Sequence, residues 1–152
     1  MASGKRVLCA IDGSEGSEQA FRFAAEKLAT GPGDSLILFQ AVTALDEYDD
    51  VVGLHILTEQ QRDIMQSRLN SERIESLEKL REGLKVDSEI VVIPGDPRTV
   101  IPEYVASHPV DVVVVGTRGL NKLQTIFMGS VSSHLVQNCT VPVVIVPPRP
   151  KK

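Results

Sequence analysis

The fold is decided by the stretch Val112-Val113-Val114-Val115-Gly116-Thr117-Arg118-Gly119, which is followed nine residues later by Gly129-Ser130-Val131-Ser132. The run of valines predicts a strand buried on both faces, and residues 129–138 predict a helix. Glycines at a strand end and at a helix start let backbone N–H groups approach an anion closely. The helix N-terminus adds a partial positive charge there. The stretch therefore predicts a phosphate cradle and a function centred on a nucleotide.

Outward from this stretch, strand-like and helix-like segments alternate along the whole chain. We predict strands at residues 6–11, 35–42, 86–93, 111–115 and 141–146. We predict helices that start at Ser14 or Ser17 and at residues 58, 98 and 129. Because the strands are apolar on both faces, the alternation indicates an α/β protein with a parallel sheet between two helical layers.

Two details of the predicted helices follow from the positions of apolar residues and proline. Pro102 is expected in the first turn of the third helix, where proline is tolerated. The second helix is expected to bury one face along its length. The apolar residues assigned to that face are Ile64, Leu69, Ile74, Leu77, Leu80 and Leu84.

Length and composition limit the classes of protein to consider. The 152 residues predict one domain, with flexible ends at residues 1–4 and 147–152. The net charge of −4 does not favour non-specific binding of nucleic acid or of a membrane surface. Cys9 and Cys139 form no CxxC pair, and no apolar run approaches the length of a membrane span, so we expect a cytoplasmic protein.

Several nucleotide-binding and catalytic motifs are missing from the sequence. A Walker P-loop motif, a G-x-G-x-x-G fingerprint after the first strand and a G-x-S-x-G elbow are all absent. The histidines show no spacing typical of metal ligands. A phospho-receiver domain would need an acidic pair after the first strand, where this chain has only Asp12, and a lysine after the last strand, where it has Pro147-Pro148.

The spacing G-x2-G-x9-G-S resembles the ATP-binding signature of the universal stress protein family. Further matches follow in order: Val7-Leu8-Cys9-Ala10-Ile11-Asp12-Gly13-Ser14, Gly95-Asp96-Pro97, Asp111-Val112-Val113-Val114-Val115-Gly116 and Val141-Pro142-Val143-Val144-Ile145-Val146. The resemblance implies a Rossmann-like fold of the adenine nucleotide α-hydrolase type. It implies five parallel strands in the order 3-2-1-4-5, with two helices on each face. Ligands of such sheets bind where the strand order reverses, here between strands 1 and 4.

The phosphate end of this implied site consists of the signature residues. Gly116 would turn the backbone around a ribose or first phosphate, and Gly119 would open a nest of N–H groups. Helix residues would complete that end of the site: Gly129, Ser130, Val131 and Ser132. The alternative is that the glycines serve only tight turns and that Ser130 only caps a helix. Arg118 and Lys122 lie inside the signature, but we favour solvated loop cations for both.

The nucleoside end is also implied by resemblance. Asp12 would face the nucleoside or a Mg²⁺ or Mn²⁺ ion held by the phosphates, since hard carboxylate oxygens suit these ions. Its alternative role is an Asx turn that accepts local N–H groups. Ala10, Ala41 and Val115 would surround the base, with core packing as their alternative. Gln40 and Ala41 stand where His-Val is frequent in the family, which bears on base selectivity.

The resemblance implies an ATP-binding stress-response module or nucleotide-dependent switch, with AMP and ADP as alternative ligands. It further implies a homodimer that pairs the last strand, from Val141 to Val146, with its copy. Two alternatives stay open. One is a slow Mg- or Mn-dependent ATPase or phosphotransferase. The other is a dimeric partner-binding module in which the nucleotide is incidental.

Overall fold

The computed structural model of the protein describes residues 4–42, 56–117 and 128–149. These residues form a five-stranded sheet in the order β3-β2-β1-β4-β5, and every pair of neighbouring strands is parallel. The strand order implied by the family resemblance is therefore confirmed. The strands are β1 (Arg6–Ala10), β2 (Ser35–Val42), β3 (Asp87–Pro94), β4 (Val112–Gly116) and β5 (Val143–Val146).

The expected start of the last strand at Val141 is wrong by two residues. Pro142 has no N–H to offer a neighbouring strand, and β5 begins after it, at Val143. The Pro142 carbonyl still accepts a hydrogen bond from the N–H of Val113, at 3.0 Å. The proline therefore extends the contact with β4 by its acceptor alone.

Four α-helices lie between or after these strands: α1 (Glu15–Phe23), α2 (Glu59–Arg81), α3 (Pro97–Ser107) and α4 (Ser130–Asn138). A π-helical turn, Ala24–Leu28, continues α1. Within the described ranges, no helix combines the length and the apolar character that crossing a membrane would require.

Each face of the sheet carries two helices, as expected. Alternate residues of β1 divide between the two cores: Val7 and Cys9 pack with α1 and α2, whereas Leu8 packs with α3 and α4. The same alternation in β4 places Val114 in the first core and Val113 in the second. Both faces of the sheet are therefore dry, which explains the continuous apolar runs in the sequence.

The expected apolar face of α2 is wrong for part of its length. Leu77 is buried, but Ile64 and Ile74 are 58% and 42% exposed. A helix of 23 residues is about 35 Å long, whereas the eight residues of β2 span about 26 Å. The sheet is too short to cover the whole helix, and the buried contacts concentrate near its C-terminal end.

The expected position of Pro102 is also wrong. It is the sixth residue of α3 and so lies in the second turn, because the helix begins at Pro97 and Asp96 is its N-cap. Proline has no N–H, so the carbonyl of Arg98 lacks its usual helical donor. The helix continues for five residues beyond Pro102, with Tyr104 and Val105 buried against the sheet.

One close crossing fixes the start of α1 against the end of β4. A Cβ atom added to Gly116 would lie 2.3 Å from the carbonyl oxygen of Gly16. A Cβ atom added to Gly16 would lie 2.7 Å from the carbonyl oxygen of Thr117. The two backbones touch directly, and this contact sets the position of α1 above the sheet.

Candidate functional site

A cleft of about 180 Å³ opens at the carboxyl ends of the strands. It lies above β1 and its two neighbours, β2 and β4, at the point where the strand order reverses. Helices α3 and α4 supply further walls, and the start of α1 closes one side. This is the position at which open parallel sheets bind ligands. We refer to this cavity as the cleft.

One half of the cleft is apolar. It is built by β2 and α3, with contributions from the neighbouring strands and from α4. Phe39 and Ile101 are fully buried beneath it, so this wall is held rigidly by the core. The apolar lining residues of the cleft are Ala10, Ile11, Phe39, Ala41, Pro97, Ile101, Val115 and Val131. Such a surface favours a flat apolar group such as a nucleobase.

The other half of the cleft is polar. It lies on the β4 side, where the end of β1, the start of α1 and the start of α4 meet. Its polar lining residues are Asp12, Ser14, Ser17, Thr117, Ser130 and Ser132. Ser17, Thr117 and Ser132 are buried, at 5%, 4% and 2% exposure. Polar groups that converge on one end of an apolar cleft orient a ligand.

Two helix starts at the cleft are capped by their own side chains. The Ser14 hydroxyl accepts a hydrogen bond from the N–H of Ser17 at the start of α1, at 3.2 Å. The Asp96 carboxylate accepts one from the N–H of Arg98 at the start of α3, at 2.8 Å. Pro97 has no N–H to satisfy. At the starts of α1 and α3, side chains of the protein itself therefore accept hydrogen bonds from the first turn.

The start of α4 is different. Its N-cap is Gly129, and no side chain caps the helix among the described residues. The N–H groups of Ser130, Val131 and Ser132 have no partner within the helix, because intrahelical bonds begin with the N–H of Ser133. All three residues line the cleft. The helix thus presents open donors and the positive end of its dipole to the polar half.

Asp12 lies in a turn at the end of β1. Its Oδ1 accepts hydrogen bonds from both the N–H and the hydroxyl of Ser14, with the N–H at 2.9 Å. The Ser17 hydroxyl accepts from the N–H of Asp12 at 3.3 Å. The Asx turn considered above as the alternative role of Asp12 is therefore present, and it holds an exposed carboxylate at the rim of the cleft.

The charges around the cleft are few. Asp12 is the one charged residue in the described lining. Arg98 lies at the nearby start of α3, but its Nη2 is 2.6 Å from Asp96 Oδ2. Hydrogen bonds from Arg98 hold the pKa of Asp96 below its ordinary value. The described residues contain no group of three or more His, Cys, Asp or Glu arranged to hold a metal. Any cation in the cleft would take most of its ligands from a bound anion and water.

The structure brings together every predicted site residue except Gly119, which lies outside the described residues, as do Arg118 and Lys122. The sequence does not identify seven further lining residues: Ile11, Ser14, Ser17, Phe39, Pro97, Ile101 and Thr117. Thr117 could have been found, since it stands inside the glycine signature and continues the alternation of Val113 and Val115. Ile101 depends on how α3 is rotated against the sheet, which the sequence pattern does not specify.

Gly116 and Gly129 both line the cleft but differ in their surroundings. An added Cβ on Gly116 would collide with the backbone of Gly16. Among the described residues, an added Cβ on Gly129 would meet only the Ser132 hydroxyl, at 3.8 Å, which is an ordinary contact. The φ and ψ of Gly129, −64° and 164°, suit any residue. Nothing in the described protein requires a glycine at position 129.

Comparison with known proteins identifies the relatives of this chain. The model of the universal stress protein family matches residues 4–147. A universal stress protein A-like protein of Arabidopsis thaliana is 33% identical over 136 residues, which cover 85% of this chain and 77% of that protein. Universal stress protein YxiE of Bacillus subtilis is 28% identical over 144 residues, which cover 93% of this chain and 97% of that protein.

Solved structures share the fold. Protein MJ0577 of Methanocaldococcus jannaschii superposes with a TM-score of 0.78 at 21% identity, over 99% of this chain and all of that chain. A universal stress protein of Arabidopsis thaliana, solved with AMP bound, has a TM-score of 0.60 at 20% identity over 95% and 92% of the two chains. One from Archaeoglobus fulgidus, in complex with dAMP, has a TM-score of 0.60 at 19% identity over 95% and 98%.

Proposed function

This chain belongs to the universal stress protein family, and we propose that its cleft binds an adenine nucleotide, with ATP as the expected ligand and AMP or ADP as alternatives. The observation that carries the proposal is the division of the cleft into an apolar half and a polar half with an uncapped helix start. A nucleotide has the same two-part chemistry. Family members solved with AMP and dAMP support the choice of adenine.

In this proposal the base lies in the apolar half. Ala10, Ala41 and Val115 pack against its faces, and the small alanine side chains leave room for the ring. Ala41 is also expected to bond the edge of the base through its backbone, since it lies near the end of β2. Burial of a flat ring against such walls contributes affinity roughly in proportion to the apolar area removed from water.

The phosphates lie at the start of α4. The N–H groups of Ser130, Val131 and Ser132 would donate to phosphate oxygens, and the Ser130 hydroxyl would add a further donor. Gly129 would allow the phosphate chain to approach the backbone closely. Gly116 would border the sugar, and Gly119 remains a proposed member of the same phosphate site.

A divalent cation would reconcile Asp12 with a phosphate chain in the same half of the cleft. Two negative groups close together repel each other unless a cation or proton lies between them. Mg²⁺ or Mn²⁺ bound mainly by phosphate oxygens and water could accept Asp12 as one further oxygen ligand. We propose this role for Asp12 alongside its observed part in the turn with Ser14.

The experiment that tests nucleotide binding uses Gly129→Val and a control on the same helix. Because an added Cβ on Gly129 meets no described atom closer than 3.8 Å and the backbone angles are ordinary, the variant should fold, and its side chain should fill the proposed phosphate position. We expect Gly129→Val to weaken ATP binding at least about tenfold by calorimetry, which equals about 1.4 kcal/mol. Gln137→Val, at the exposed far end of α4, should bind like the parent. Unchanged affinity in a folded Gly129→Val protein would contradict the proposed site.

We propose a nucleotide-dependent switch in the stress response in preference to an efficient enzyme, with slow ATP hydrolysis or phosphoryl transfer as the alternative. Incubation with Mg-ATP distinguishes the two, with Gly129→Val as the background control. ADP formed above that background would favour the enzyme. If the protein binds no nucleotide at all, the partner-binding module becomes the leading function.

A homodimer through β5 is part of the proposal, because β5 lies at one edge of the sheet. The carbonyls of Pro142 and Val146 accept from β4, so the backbone groups of Val143 and Ile145 point outward, by the alternation of a parallel ladder. An unpaired apolar edge favours pairing with a second copy.

Amide hydrogen exchange tests the dimer with an internal control. We expect slow exchange at Val143 and Ile145 if a second copy covers the edge. The N–H groups of Val144 and Val146, which face β4, should exchange slowly in either case. Fast exchange at the outward positions, together with a monomer mass by light scattering at micromolar concentration, would contradict the dimer.

The state of the cysteines supports a reducing, cytoplasmic location as part of the proposal. Cys9 and Cys139 are both free thiols. Burial raises the pKa of Cys9 to about 12, so this thiol stays protonated and unreactive at neutral pH. Burial also raises the pKa of Cys139.

A further inference from the structure

Thr117 has a hydroxyl group that the described protein does not satisfy. The residue is 4% exposed, and its Oγ1 is buried with no hydrogen-bond partner among the described residues. A buried hydroxyl without a partner destabilises a protein, because it has lost its bonds to water and gained none in return. Natural proteins keep few such groups, so one that lines a binding cleft requires an explanation.

The backbone of Thr117 is held from two sides. Its N–H donates to the carbonyl of Val146 on β5, at 3.3 Å. Its own carbonyl lies under Gly16 at the crossing of α1 and β4. The residue therefore cannot move away to find a partner elsewhere.

The side chain lies on the face of the sheet that carries the cleft. Val113 and Val115 belong to the core under α3 and α4, and Thr117 continues their two-residue alternation just past the end of β4. It lines the polar half of the cleft, beside Gly116 and opposite the apolar wall of β2. The cleft is therefore the place from which a ligand atom can reach this hydroxyl.

We propose that the Thr117 hydroxyl hydrogen-bonds an oxygen of the sugar–phosphate part of the bound nucleotide. This inference rests on the proposed function and adds a ligand-binding residue to it. The ligand supplies the partner that the folded chain withholds, so the cost of the unsatisfied hydroxyl is removed on binding. Thr117 thereby favours the liganded state over the free one, and does so without carrying a charge.

The proposal predicts opposite effects of one substitution on stability and on binding. Thr117→Val keeps the branched shape and removes the hydroxyl. In nucleotide-free protein it should leave Tm unchanged or raise it by about 2–4 °C, because a buried unsatisfied group is gone. In the same protein the affinity for AMP should fall roughly tenfold. Thr117→Ser, which keeps the hydroxyl, should bind AMP within about threefold of the parent.

The experiment measures Tm and calorimetric affinity for the parent and both variants after removal of co-purified nucleotide. AMP, adenosine and free adenine are the probes. A loss in Thr117→Val with AMP alone assigns the contact to phosphate, and an equal loss with adenosine assigns it to the ribose; both support the inference. An equal loss with free adenine would overturn it.

Two further outcomes separate this inference from the proposed function. If the parent binds AMP and Thr117→Val binds it equally well, or if Thr117→Val lowers the Tm of the free protein by several degrees, the hydroxyl does not serve the ligand and the inference fails alone. If the parent binds neither AMP nor ATP, the proposed function fails and the inference falls with it.

Discussion

Gly116 ends β4 and Gly129 precedes α4, and both glycines line the same cleft. At Gly116 an added Cβ would lie 2.3 Å from the backbone of Gly16, so the fold itself excludes a side chain. At Gly129 the nearest atom to an added Cβ is the Ser132 hydroxyl at 3.8 Å. Two glycines of the same sequence signature thus have different structural surroundings. The first glycine lets a helix cross a strand closely, whereas the second borders open space at the start of α4 among the described residues.

The largest expected effect is on the stability of Gly116→Ala. The new methyl group would collide with backbone atoms of α1, which cannot move without disturbing the core, so we expect a loss of about 3 kcal/mol in the free energy of unfolding. Urea denaturation measures this value. Gly129→Ala is the matched control and should lose less than about 1 kcal/mol. Equal losses in the two variants would contradict the distinction drawn between these glycines.

Gly16→Ala approaches the same crossing from the helix side. Its Cβ would lie 2.7 Å from the carbonyl oxygen of Thr117, which is tight but less severe than the contact at Gly116. Alanine also favours helix over glycine by up to about 1 kcal/mol, which offsets part of the strain. We expect a net loss of about 1–2 kcal/mol by urea denaturation. A stabilised Gly16→Ala protein would show that α1 can shift away from β4.

Asp96→Ala tests a helix start that the protein caps itself, in contrast to the start of α4 after Gly129. Loss of the cap should cost about 1 kcal/mol at pH 7. Bonds from Arg98 lower the folded pKa of Asp96 below its unfolded value near 3.9, so the carboxylate stabilises the fold above about pH 4. The difference in stability between parent and variant should shrink as pH falls below about 4. A difference that stays constant down to pH 2.5 would rule out the carboxylate as its source.

The smallest expected effect on stability belongs to Gly129→Ser. Serine is the better N-cap by a few tenths of a kcal/mol, so the variant should be at least as stable as the parent. Its side chain would bond the open N–H groups of α4 and occupy the phosphate position, so ATP affinity should fall while Tm holds. Thermal unfolding and calorimetry on the same sample check both expectations. A clear loss of stability would mean that the fold also requires glycine at this position.

Much of the fold could be predicted because its three central strands, β1, β2 and β4, contain long buried runs. Four consecutive valines in β4 strongly favour a strand. Ser14 and Asp96 are residue types that favour the start of a helix, and both are N-caps in the structure. The exposure of Ile64 and Ile74 in α2 could not be predicted, since the pattern of apolar residues does not show that the helix is longer than the sheet it covers. The expected position of Pro102 is wrong because a buried helix tolerates the loss of one hydrogen bond when its packing is good.

The lining residues of the cleft could be predicted where they belong to the glycine signature, and fewer could be predicted outside it. Ala10, Asp12 and Ala41 could be assigned by resemblance. The structural reason for a glycine at position 116 could not be predicted, because the sequence does not reveal that Gly16 will lie against it. The sequence places Thr117 inside the glycine signature but does not show that its hydroxyl lacks a partner. A hydroxyl without a partner becomes visible only when the surrounding atoms are in place.

The cleft joins parts of the chain that are far apart in sequence, and this has a consequence for the time order of folding. β1 pairs with β4 across more than a hundred residues, and Arg6 N–H bonds Asp111 Oδ2 over a separation of 105. Such distant pairings form slowly and late. A ligand that spans β1 and β4 can bind only after that step, so it cannot speed early folding. Its stabilisation should appear almost entirely as slower unfolding, which would lengthen the lifetime of the loaded protein.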